Sequence, residues 1–79
     1  MKKITPQKFV ELMNQTIQKM DNFKPGMSVY LVPNDNCPTG YSCDKKWYSE
    51  GIQGLLAMAS HELDKHYIVD VGIHLSFIS

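Results

Sequence analysis

The chain has 79 residues, a length at which one domain buries roughly 60% of the surface its unfolded chain exposes, so a single thin-cored domain spanning residues 1–79 is expected. Eight lysines and no arginine balance eight acidic residues; zero net charge without a guanidinium argues against nucleic acid as a partner and removes bidentate readout of phosphate or guanine. No window approaches the roughly 18 consecutive apolar residues of a membrane-spanning helix, so no membrane association is expected.

Met1-Lys2-Lys3 resembles the start of a signal peptide, but Thr5, Pro6, Gln7 and Lys8 stand where an apolar run should follow, so a cytoplasmic protein is expected. Thr5-Pro6 reads as a helix start: the Thr hydroxyl can accept from an orphan backbone N–H, and Pro costs nothing at the first helical position. Ile4 and Phe9 stand at staple spacing. Phe9, Leu12, Met13, Thr16, Ile17 and Met20 then form the apolar stripe of an amphipathic helix of about four turns. Asn14-Gln15-Thr16 matches a glycosylation acceptor, which inside a helical pattern reads as coincidence. Lys24-Pro25-Gly26 has the order of a type II turn.

Met27 to Val32 alternates as a short strand, with Met27, Val29 and Leu31 on one face, until Pro33 removes the next ladder donor. Asn34 to Lys46 is dense in Asn, Asp, Pro, Gly and Ser and reads as a long loop, a length that marks a candidate functional surface. A second helix starts between Asp44 and Ser49, with Tyr48, Ile52, Leu55, Leu56, Ala59, Leu63 and His66 along its apolar side. Gly51, Gly54 and Ala57 recur on one side of it, and small residues there would admit either the domain's own sheet or a partner's backbone; the own sheet is the preferred explanation. From Tyr67 to Ile78 the alternation of Tyr67, Val69, Val71, Ile73, Leu75 and Phe77 with intervening residues predicts one long strand with an apolar face.

The chemistry-bearing residues are few. Cys37 and Cys43, with His61 and His66, are candidate metal ligands, but the two cysteines are spaced more widely than in structural zinc sites, and residues five apart on a helix diverge by about 140°. Two reduced thiols are the simpler expectation, and no cofactor is expected. His61-Glu62-Leu63-Asp64-Lys65-His66 misses the zinc-protease pattern by one residue. For nucleophilic catalysis only a cysteine with a histidine is available, with nothing in the sequence that visibly lowers a thiol pKa, so no enzyme is expected.

The order helix, strand, loop, helix, strand predicts an α+β domain with two helices on one face of a small antiparallel sheet. Two strands alone are marginal, so the sheet is expected to be completed by a second copy pairing along Tyr67 to Ile78; the alternative is a third strand from the loop around Tyr41. The functional expectation is a small cytosolic protein–protein interaction module, in the manner of an inhibitor or regulator encoded by bacteria or their phages. It would bind a larger protein partner through a strand edge and the loop, with Asn34, Asp35, Tyr41, Trp47 and Tyr48 as contact residues. Alternatives are a small-ligand pocket between protomers, lined by Tyr30, Asp70 and His74, or a Cys/His metal module.

Overall fold

The computed structural model describes residues 2–32, 40–69 and 75–78 of the chain. It is an α+β fold. In chain order the elements are strand β1 (Lys2–Ile4), helix α1 (Pro6–Ile17), strands β2 (Val29–Val32) and β3 (Gly40–Cys43), a 3₁₀ helix (Lys45–Glu50), helix α2 (Ile52–Asp64), and strands β4 (Tyr67–Val69) and β5 (Ser76–Phe77).

Local chemistry sets the helix ends. Thr5 is the N-cap of α1, its hydroxyl accepting from the Lys8 N–H at 3.1 Å, and Pro6 follows in the first turn. The helix stops at Ile17, one turn earlier than the apolar stripe suggests, because the chain tightens: the Lys19 and Met20 N–H groups donate to the carbonyls of Thr16 and Ile17. Thr16 also turns its hydroxyl back onto the Leu12 carbonyl at 2.7 Å, a bond that competes with the regular ladder. The predicted turn at Lys24-Pro25-Gly26 is present, with Gly26 at φ +98° and the Met27 N–H on the Lys24 carbonyl.

The second helix begins in two stages. Asp44 caps the 3₁₀ segment by accepting from the Lys46 N–H at 3.1 Å. Gly51, at φ +81°, then reorients the chain into α2, whose buried face is Ile52, Leu55, Leu56, Ala59 and Leu63. His66, expected on that stripe, lies beyond the helix end and is exposed.

The strands depart further from expectation. Tyr67 to Ile78 is not seen as one element: β4 and β5 belong to different sheets, and 70–74 lie outside the described residues. β4 pairs in parallel with β1, while β5 pairs in parallel with β3, which is antiparallel to β2. The ladders are therefore parallel and antiparallel, not antiparallel alone, and a third strand does form around Tyr41. The inward set holds where described, since Val69 and Leu75 are buried and Ile68 is exposed.

Both helices and both sheets contribute to one core, with Phe9, Met13 and Ile17 of α1 and Ile52 and Leu56 of α2 each at most 1% exposed. Full burial of side chains this size stabilises by about 1.5–3 kcal/mol each, so a short chain leans on them heavily. A polar contact fixes the sheet to α1. The Asn14 side chain donates from Nδ2 to the Val29 carbonyl at 3.2 Å, and its Oδ1 accepts from the Val29 N–H at 2.8 Å. One side-chain amide thus meets the outer edge of β2 as a neighbouring strand would, which agrees with reading the glycosylation pattern at Asn14 as coincidence.

Asn14→Ala should lower the unfolding free energy by about 1–3 kcal/mol in urea denaturation, because two strand-edge groups lose their partner, while Gln15→Ala on the exposed side should change it by less than about 0.5 kcal/mol.

Candidate interaction surfaces

The loop aromatics expected to meet a partner are drawn toward the core instead. Tyr41 is only 4% exposed and sits on a buried strand, its ring 6.1 Å from Phe9 and 6.0 Å from Phe77. Ser60 of α2 acts on the Tyr41 hydroxyl and opposes the rise in pKa that burial causes. This corrects its assignment as a surface contact: a residue so enclosed cannot reach a partner. Tyr48 lies 6.2 Å from Phe77, extending the same aromatic chain, and is partly buried. Trp47 is also partly buried and covers the turn glycine; a Cβ added to Gly26 would stand 3.1 Å from Trp47 Cζ2. Lys46 Nζ lies over the indole ring, 5.1 Å from its centroid. Asn34 and Asp35 lie outside the described residues.

The other candidate groups do not converge. Cys43 is a free thiol at 2% exposure, and Cys37 lies outside the described residues. His61 is exposed on the last turn of α2, and His66 Nε2 stands 3.8 Å from Glu62 Oε1 on the open surface. Among the described residues no three His, Cys, Asp or Glu side chains are grouped closely enough to hold a metal ion. Of the ligand-pocket candidates, Tyr30 is half exposed on β2, while Asp70 and His74 lie outside the described residues. No helix among the described residues is long and apolar enough to cross a membrane.

Two clefts in the described surface lie elsewhere. A polar one of about 370 Å³ is lined by Asp21, Asn22, Phe23, Lys24, Ser49, Glu50 and Gly51. Lys24 Nζ and Glu50 Oε2 pair across it at 2.9 Å, and both are half exposed, so the pair is worth at most about 1 kcal/mol. The other, about 330 Å³, lies between the end of α1 and α2 and is bordered by Lys19, Met20, Asp21, Asn22, Leu55 and Met58.

The second groove adjoins an unexpected feature of α2. Gly54 and Ala57 are exposed, and nothing lies within 4 Å of where a Gly54 Cβ would stand. The preferred explanation, that these small residues admit the domain's own sheet, is therefore corrected: that side of the helix faces solvent. Met58 beside it is 62% exposed, the most exposed large apolar side chain among the described residues. Its signal in the sequence was an apolar residue falling off the buried stripe. The outward run from Gln53 to His61 carries no formal charge with His neutral.

Burial raises the pKa of Tyr41 and Cys43, with Asp64 adding to the first and Asp44 to the second. A pKa higher in the folded chain than in the unfolded one gives a stability contribution that is complete below the unfolded pKa and lost as pH rises through the folded pKa. Thermal stability should accordingly fall on raising the pH above about 9, and the loss should be shallower in Cys43→Ala and Tyr41→Phe than in the native chain.

Comparison with protein-family models, with curated proteins and with solved structures finds no match to this chain.

Proposed function

We propose that the chain is a small cytoplasmic protein–protein interaction module, not an enzyme, that acts as an inhibitor or regulator by covering part of a larger protein. The observation that carries this reading is the outward side of α2. A glycine inside a helix costs about 0.5–1 kcal/mol relative to alanine. At Gly54 that cost has no compensation within the chain, since open space lies above it. A gap over the backbone and an exposed methionine one turn later suit a partner that lays an apolar side chain over Gly54 and packs against Met58. Lys19 and Asp21 at the rim of the adjoining groove offer one charge of each sign for orientation. The aromatics beside the loop are weaker anchors, because Tyr41 is enclosed and Trp47 and Tyr48 are partly buried against the core.

Two glycine substitutions should diverge in stability. Gly54→Ala should stabilise by up to about 1 kcal/mol, because the helix gains and nothing is displaced, while Gly26→Ala should destabilise through its positive φ and the indole 3.1 Å away.

The functional test is affinity capture from cells that express the chain natively, comparing it with Met58→Lys and Gly54→Leu. A protein retained by the native chain and lost by both variants, at unchanged melting temperature of the Met58→Lys variant, supports the reading. Equal capture by all three contradicts it.

A further inference from the structure

The strand edges of this domain are finished unequally, and the difference singles out one of them. On the outer edge of β2, both backbone groups of Val29 are taken by the Asn14 amide. The outer edge of β1 is flanked by the exposed Lys2 and Lys3, the kind of charge that discourages strand addition. β4 has neither device. The Lys2 N–H donates to the His66 carbonyl at 3.2 Å, with Lys2 opposite Tyr67 and Ile4 opposite Val69. In a parallel ladder alternate residues of a strand bond to the same neighbour, so His66 and Ile68 turn their backbone groups to β1. Tyr67 and Val69 turn theirs to the opposite edge, where the sheet has no further strand among the described residues. β5 presents the same kind of edge, but over the single residue Phe77.

The bare edge coincides with an exposed apolar side chain and an incomplete sheet. Ile68 is 47% exposed. Two strands of three residues each make a minimal sheet that rests on its packing against the core, and added strands would extend it.

We propose that a second copy of this chain adds to the β4 edge, antiparallel, about a two-fold axis at Ile68. This uses a surface separate from the outward side of α2. The register follows from the geometry. Tyr67 of each copy stands opposite Val69 of the other, in the hydrogen-bonded position, where both N–H and both C=O groups are exchanged. Ile68 meets Ile68 across the axis in the non-hydrogen-bonded position, with Cβ atoms about 4.5–5.5 Å apart, so the exposed side chain covers its own counterpart.

The charge distribution favours a second copy as the occupant. Tyr67, Ile68 and Val69 carry no charge, so no like charges meet at the axis. The combined strand order becomes β1-β4-β4-β1, with the lysine-bearing β1 of each copy on an outer rim. Three strand spacings, about 14 Å, separate the two rims, beyond the Debye length of about 8 Å at physiological salt. Each rim is then a guarded edge, and assembly closes at two.

Native mass spectrometry and light scattering across a concentration series test this on the full chain, alongside Ile68→Lys, Met58→Lys, and Ile68→Cys in a Cys37→Ser background. The native chain and Met58→Lys should dimerise alike, Ile68→Lys should dimerise at least roughly tenfold more weakly with its far-UV circular dichroism retained, and the Ile68→Cys chain should close a disulfide-linked dimer on mild oxidation. A native chain that stays monomeric into the millimolar range overturns the proposal, including the case in which only a foreign strand occupies the edge. So does a dimer that Ile68→Lys leaves intact and in which Ile68→Cys does not cross-link.

Discussion

Short strands leave backbone donors and acceptors along every edge, and the need to satisfy or guard them governs this fold. Asn14 shows the constraint most plainly. Its amide reaches from α1 to occupy both groups of Val29, so helix and sheet are held by the same bonds that end the sheet. β1 answers the constraint differently, by adding a ladder to β4 and facing solvent with lysines. Each solution uses few residues, which matters in a chain with little interior to spare.

The interior is organised around Tyr41. Its ring contacts Phe9 of α1 and Phe77 of β5, and Ser60 of α2 acts on its hydroxyl. Aromatic pairs of this kind add about 0.5–1.5 kcal/mol beyond the area they bury, and here one residue joins both helices to one sheet. Since β3 is central in its sheet and buried along its whole length, it cannot serve as a surface. Among the described residues, the two surfaces proposed for contact lie on the periphery: the outward side of α2, where Gly54 and Met58 stand together, and the edge of β4.

How much of this was legible follows from how local each determinant is. Thr5-Pro6, Lys24-Pro25-Gly26 and the stripe from Ile52 to Leu63 each express their structure within a few residues, and all three are present. β3 is legible only as an alternative, because Gly40-Tyr41-Ser42-Cys43 is buried on both faces and so does not alternate, while Gly and Ser carry low strand propensity. β1 escaped because Lys2 and Lys3 face solvent and its pairing depends on residues at the far end of the chain. Alternation places Val69 and Leu75 inward and Ile68 outward, but does not show where the ladders of β4 and β5 begin and end. Tyr41 is enclosed because it lies on β3. At Gly54 the sequence displayed the smallness of the residue, and only the packing shows that nothing within the chain lies against it. Asn14 had no distinguishing signal, because a polar residue on a helix looks the same whether it meets water or a strand.

Amide hydrogen exchange along β4, followed residue by residue at several protein concentrations, tests most directly the claim that this edge is open within one chain and closed between two. The ladder to β1 should protect the Ile68 amide at every concentration, whereas Tyr67 and Val69 should exchange freely in dilute solution and become protected as concentration rises. Protection of all three amides in dilute solution would mean that the chain covers this edge itself. Concentration-independent exchange at Tyr67 and Val69 would mean that no second copy uses it, and either result would contradict the account.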